Sequence, residues 1–442
     1  MIGALCRFDG QGLKHESRGL QVEAIRRHIE SRLARLPRFR QRLMRVPLAL
    51  GTPLWADDSS FDISEHVRFA SIPPPGDDAQ LRAFIGKLLE APLDPDRPLW
   101  QLWILDGAAD GSVIVIPKVS HVMADGIALL DFAASVLDAD PSTEPETPEP
   151  WTPEPPPGRA ALAARAWIDR SRRQLEAARA VAAAFSHPAA LVSGARLTAE
   201  TVGGLLRAAP ASELTAQVGP RRDFSWFEVT LGELRLVGHE LSVTLNDLVL
   251  AASAGALRGH SLRTGGELAD HDARVLVPVS MHDDPEGELT DNRFSVLVAC
   301  LPTSTPHPLD RVRQVHSEMT ERKESGQAGL TAAIYRIADF LPLDLLARLA
   351  PPALARQPFV NLAVTNLPGS PVPLHFLGSR LEQLYPIVTV TGNVALIVGV
   401  VSYGDGLGVG ITADPEVVTD LDGLTKDFQS AFGEVIGLAR PA

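Results

Sequence analysis

PKVSHVMADGIALL, residues 117–130, joins the end of one apolar segment to the start of the next. The run SVIVIP at 112–117 has strand length and composition, and IALL opens an apolar helix. Between them His121 follows the strand, Asp125 comes four residues later, and Gly126 stands directly before the helix. Imidazole titrates near neutral pH, so it can take a proton from a hydroxyl and return it later. A nearby carboxylate either orients the ring or fixes the turn by pairing elsewhere. Gly126 permits a tight turn that leaves the histidine at the rim of a sheet. Alone, the pattern is unspecific, because an isolated histidine is more often structural than catalytic.

Working outward, LWILDG (102–107) and SVIVIP read as two strands joined by a short turn, GAADG at 107–111. Val22, Ile25, Ile29, Leu33 and Leu36 fall at helical spacing, and so do Leu81, Phe84, Ile85, Leu88 and Leu89 after the capping candidates Asp77 and Asp78. The sharpest compositional break is PSTEPETPEPWTPEPPP (141–157), with eight prolines and four glutamates, the signature of a stiff, extended, solvated linker. An Ala- and Arg-rich segment with helical composition follows, from Gly158 to about Pro210, with few aromatic residues to show what it packs against. Strands are then expected at 224–231, 274–280, 293–302, 359–366, 394–402 and 407–413, with helices at 246–259 and near 419–436. The expected organisation is an α/β chain of two layered domains, 1–140 and 159–442, joined by the linker 141–158. A site between them is the default location for chemistry.

Composition narrows the function. With 45% hydrophobic and 21% charged residues the chain is globular, and a net charge of −13 argues against nucleic acid as the partner. Cys6 and Cys300 are too few for a disulfide framework or a cysteine zinc cluster, and neither HExxH nor GxSxG occurs. No apolar run reaches membrane-spanning length and the N-terminus lacks the regions of a secretion signal, so a cytoplasmic protein is expected, with any membrane contact peripheral.

Several ordered blocks carry a resemblance. SHVMADG (120–126), RPLW (97–100), LNDLVLAASAGALR (245–258), VPVSMHDD through DNRFSVLVACLPT (277–303) and NLAVTNLPGSPVPLHFLGSRLEQLYP (361–386) resemble the bacterial wax ester synthase/diacylglycerol acyltransferase family, within the chloramphenicol-acetyltransferase-like superfamily. FDISEHVR (61–68) and LPRFRQRL (36–43) match weaker signatures. The resemblance implies two sandwich domains with mixed sheets, a crossover segment at about 361–390 returning to the first domain, and an interdomain tunnel holding His121. It implies acyl transfer from acyl-CoA, a substrate and not a cofactor, to a long-chain alcohol or diacylglycerol, with His121 as general base and no metal. Ser120 stands where the family motif has its first histidine. Family members carry further residues ahead of MIGALCRFDG, so an incomplete first strand is expected.

Other residues take graded roles. Asp125 is expected to fix its loop more than to react, with Arg293 as its candidate partner by motif position. Gly126, Pro98, Leu99 and Trp100 support the motif. Asn246 and Asp247 sit at a helix start, where capping is the plain reading. Asn361, Thr365 and Asn366 end a strand and either donate to an oxyanion or terminate the strand. Eight arginines between Arg26 and Arg45 make a solvated face or, functionally, an attachment to coenzyme A phosphates or anionic lipid through Arg38, Arg40 and Arg42. The expected partners are acyl-CoA, a hydrophobic acceptor and a peripheral membrane or lipid-droplet surface, the protein being a monomer or homodimer. The competing readings are a same-fold acyltransferase acting on a polyketide or peptide hydroxyl, and a non-catalytic lipid-binding protein.

Overall fold

A computed structural model describes residues 1–15, 19–46, 53–123, 126–158, positions scattered between 160 and 179, 207–280, 294–324 and 356–439. In chain order the first half contributes β1 (Ile2–Phe8), α1 (Val22–Arg32), α2 (Ile63–His66), β2 (Val67–Ser71), α3 (Asp78–Glu90), β3 (Trp100–Asp106), β4 (Val113–Val119) and α4 (Gly126–Val136). The second half contributes β5 (Asp223–Thr230), α5 (Leu231–Leu241), α6 (Leu245–Thr264), β6 (Ala273–Ser280), β7 (Phe294–Leu301), α7 (Pro308–Glu324), β8 (Leu362–Leu367), β9 (His375–Phe376), β10 (Ser379–Val388), β11 (Leu396–Tyr403), β12 (Gly406–Ala413) and α8 (Leu421–Ile436).

Two six-stranded mixed sheets result, ordered β9-β10-β1-β4-β3-β2 and β7-β6-β8-β11-β12-β5. In the first only β2 and β3 run parallel; in the second β6, β8 and β11 do. One face of the first sheet buries Ile25 and Ile29 of α1 with Phe132 and Val136 of α4. Its other face takes Leu81, Ile85 and Leu88 of α3, together with Phe224 from β5 of the second sheet. The second sheet buries one face under α6, where the Thr244–Asp247 capping box starts the helix and Gly265 ends it in the left-handed region. β1 spans seven residues, paired with β10 on one side and β4 on the other.

Of residues 361–390, Leu362–Leu367 stays in the second sheet, whereas His375–Phe376 and Ser379–Val388 join the first. β10 thereby lies directly on the second sheet, and glycine allows it. A Cβ on Gly408 would come 1.9 Å from the Leu384 carbonyl oxygen, and one on Gly410 would come 2.0 Å from that of Pro386. The alternation of β12, apolar inward and glycine outward, brings two backbones into contact.

The Pro/Glu-rich segment is not a free linker. Glu146 pairs with Arg32 at 2.9 Å and Arg35 at 2.6 Å, and Trp151 meets Phe61 edge-on while lying under the Arg40 guanidinium. This also corrects the reading of the arginine run. Arg26 and Arg38 lie over Phe69 and Trp55, Arg40 is buried, and Arg32 is buried between Asp138 and Glu146. Acid from the linker and aromatic faces from the domain take up these cations, while Arg27, Arg35 and Arg45 stay exposed. Arg32→Ala should cost about 3 kcal/mol, because Asp138 is left partly buried and unpaired. Glu146→Gln should cost under about 1 kcal/mol, since Glu146 faces water. Urea titrations of both variants check this, and equal costs would contradict it.

Candidate active site

β4 lies in the middle of the first sheet, with β1 on one side and β3 on the other. Its last residue, Val119, pairs with both Ile2 and Trp100. The chain then turns: the Ser120 N–H donates to the Leu99 carbonyl at 3.0 Å and the Met123 N–H to the Ser120 carbonyl at 2.9 Å. His121 sits on this turn, exposed. The two sequence motifs are thus hydrogen-bonded to each other through Ser120 and Leu99. Trp100 anchors the second. Its indole N–H donates to the Phe39 carbonyl at 2.7 Å, and its ring stacks on His66 at 4.7 Å. Phe39 stacks on Phe132 of the helix that follows the motif. Burial lowers the pKa of His66, and its Nδ1 lies 2.8 Å from the Trp100 carbonyl oxygen, so that imidazole is a neutral packing element. Asp125 and Arg293 lie outside the described residues.

Three positions before His121, Lys118 points to the α3 face. Its ammonium donates to the Leu88 and Ala91 carbonyls at 2.6 and 2.5 Å, closing the C-terminus of α3. Burial pushes its pKa down to about 8, from 10.5. Below pH 8 both folded and unfolded chains carry the proton; between 8 and 10.5 only the unfolded chain does, so this contribution to stability rises with pH. The stability of the parent relative to Lys118→Met should therefore improve between pH 8 and 10.5, measured by urea midpoints across that range. A flat difference would refute the assignment.

At the end where β4 delivers His121, β10 delivers Thr389. Both strands run antiparallel to β1, and both Val119 and Val388 pair with Ile2. Val388 and Val390 pack against Ala363 and Ile397 of the second sheet, so this end of the first sheet meets the second at an apolar seam. Two residues beyond Ala363 on the same strand lies Thr365. The hydroxyls of Thr365 and Thr389 are buried and make no hydrogen bond among the described residues. Thr389 was not among the sequence candidates; only the register of β10 brings it here.

The remaining candidates separate from this seam. Asn361 is buried: its amide oxygen accepts from the Arg274 N–H, and its amide nitrogen donates to the Pro210 carbonyl and Thr215 Oγ1. With both N–H groups committed, it ties the segment before β5 to the second sheet and is no oxyanion donor. Asn366 is half-buried on β8. Asp247 caps α6 and accepts from or pairs with His316 Nδ1 at 2.9 Å, and Asn246 occupies the same first turn, a structural role in the second domain. Among the described residues no cluster of His, Cys, Asp and Glu is arranged to hold a metal ion, and no helix is long and apolar enough to cross a membrane.

The wax ester synthase/diacylglycerol acyltransferase catalytic domain matches residues 2–249, and the WS/DGAT C-terminal domain matches residues 290–435. The Mycobacterium tuberculosis protein named Probable diacylglycerol O-acyltransferase tgs1 is 32% identical over 441 residues, covering 99% of this chain and 92% of its own. The wax ester synthase/diacylglycerol acyltransferase from Marinobacter aquaeolei VT8 superposes with a TM-score of 0.67 at 23% identity, covering 99% of this chain and 94% of that one. The first condensation domain of the calcium-dependent antibiotic synthetase shares the fold, with a TM-score of 0.60 at 16% identity over 99% of this chain and 91% of its own. With catalytic and C-terminal domains matched in order and a relative aligned over nearly its whole length, this chain belongs to the wax ester synthase/diacylglycerol acyltransferase family.

Proposed function

We propose that this protein transfers a fatty acyl group from acyl-CoA to the hydroxyl of a long-chain alcohol or diacylglycerol, giving a wax ester or triacylglycerol. One observation carries the reading: His121 stands exposed on a turn at the end of a central strand, bonded through Ser120 to the Pro98–Trp100 motif, at the end of the first sheet where β10 meets the second. In this reading His121 takes the acceptor's proton as its oxygen attacks the thioester carbon. The carbon–sulfur bond then breaks, and the coenzyme A thiolate leaves with the proton that His121 returns. Asp125 keeps the loop-fixing role and Gly126 the tight turn. Thr365 and Thr389 supply hydroxyl donors to the developing oxyanion, and their unpartnered state supports this. In this reading the protein works at a lipid surface facing the cytoplasm, which the insolubility of such an acceptor supports.

The test is incubation of the purified chain with one acyl-CoA and competing alcohol and diacylglycerol acceptors, following free thiol and esters together. Acceptor-independent thiol release, or none, would overturn the reading. Thr365→Val and Thr389→Val should each lower kcat at least about tenfold. Both should keep or raise the melting temperature, because a buried hydroxyl without a partner stabilises nothing. Unchanged kcat in both would remove them from the site.

A further inference from the structure

Two interior strands of the second sheet part halfway along their length. β6 runs to Ser280 and β8 to Leu367, yet the pairing between them ends at Leu276 and Ala363. Each keeps its other partner to the end, Ser280 against Phe294 of β7 and Leu367 against Val401 of β11. A cleft therefore opens inside the sheet, and proline keeps it from zipping shut. The Arg274 N–H donates to the Asn361 amide oxygen and the Arg274 carbonyl accepts from the Asn361 N–H, so the backbone groups of residue 274 face β8. Successive residues alternate, which turns those of Leu276 and Pro278 the same way. Pro278 has no N–H to donate where the ladder would continue.

The same alternation, counted from Asn361, turns the N–H and carbonyl groups of Thr365 and Leu367 into the cleft, where β6 pairs with neither. Pro278, Thr365, Asn366 and Leu367 are half-buried, so the cleft is not sealed. Asn366 stands on the α6 face with Val364, and its carboxamide makes no hydrogen bond among the described residues. The unpartnered Thr365 hydroxyl stands on the opposite face with Ala363, toward the seam. Backbone groups inside a sheet require partners. An alkyl chain supplies none, and the ester groups of diacylglycerol only accept. The pantetheine arm of acyl-CoA is narrow and extended and carries two amides, the nearer one two carbons from the sulfur, so it pairs as an added strand does. We infer that the cleft between β6 and β8 holds this arm, with its amides on the Thr365 and Leu367 backbone and its path crossing the Asn366 carboxamide. Only the place of the thioester, beside the Thr365 hydroxyl, rests on the proposed function.

Three hexanoyl thioesters test this on the full chain with one saturating alcohol: that of pantetheine, with two amides, of N-acetylcysteamine, with one, and of ethanethiol, with none. For the parent, kcat/KM should fall in that order, by at least about a hundredfold overall. Asn366→Leu should raise KM for the pantetheine thioester at least about tenfold, keep kcat within about twofold and leave the ethanethiol thioester as in the parent. Asn366→Asp, matched in size but lacking the N–H donors, should do the same and serves where leucine disturbs folding. Calorimetry with S-hexylpantetheine, a thioether that cannot be transferred, reads the cleft apart from the reaction; Asn366→Leu should weaken its binding at least about tenfold. The assignment is overturned if the three thioesters react alike, if the Asn366 variants raise KM for all three alike or for none, or if the thioether does not bind a parent that turns over. Binding that depends on Asn366 in a parent that turns over no thioester would keep the cleft and remove the proposed reaction.

Discussion

Replacing His121 by alanine should lower turnover about 10²- to 10⁴-fold, the usual contribution of a positioned general base, and leave the melting curve where it was. The separation of effects follows from where the residue sits. His121 is exposed on a turn, and the bonds from the Ser120 N–H to Leu99 and from the Met123 N–H to Ser120 join backbone groups that the substitution keeps. Thiol release from acyl-CoA in the presence of an alcohol measures the first effect and calorimetry the second. A folded His121→Ala protein with near-parent turnover would end the general-base assignment. His66, by contrast, stacks on Trp100 and bonds to its backbone; there alanine should lower stability first and activity only through it.

Gly410→Ala is expected to be strongly damaging for a single added methyl group, costing about 3 kcal/mol or more. Adding a methylene group to a packed core typically costs about 1–3 kcal/mol, when side chains can adjust. Here the obstacle is the Pro386 carbonyl oxygen, 2.0 Å from the added carbon and held in a strand that belongs to the other sheet. Either β10 leaves β1 or the two sheets move apart. The matched control is Gly433→Ala on α8, where nothing lies within 4 Å of the added carbon; there reduced unfolded-state entropy should stabilise by about 0.5 kcal/mol. Urea unfolding of the pair checks both, and similar midpoints would refute the account of the glycine face.

Much of this was legible along the chain. Strands rich in β-branched residues announced themselves at β3, β4, β6, β7, β11 and β12, and the capping candidates Asp77 and Asp247 mark helix starts that the structure keeps. The motif around His121 could be read because strand, loop and helix are consecutive. What escaped reading depends on residues far apart in sequence. SRLEQLYPIV looks too charged for a strand between a sheet and a second domain; Arg380 and Glu382 are exposed, and the buried part faces glycines some twenty residues on. The helix expected to run to Leu36 ends at Arg32 and continues as 3₁₀ turns, one of them led by Pro37. The arginine run looked like an open basic face because Glu146 and Trp151, which cover it, lie more than a hundred residues away. Thr389 carries no local signal at all.

β1 is made before the other strands of its sheet and is among the last to find its neighbour. Val119 emerges early and can pair with it, but its other edge waits for Ser379–Val388. At about 5–20 residues per second, that edge stays open for roughly ten seconds to a minute of synthesis. During this time Ile2, Ala4 and Leu5, buried in the finished protein, sit on a strand able to recruit any extended chain nearby. Nascent-chain protection therefore has a defined task here: shielding one seven-residue edge until the chain has grown past Val388. Cutting the gene between the halves would make that wait permanent, and the amino-terminal fragment should aggregate on its own and be recovered only when the second fragment is made alongside it.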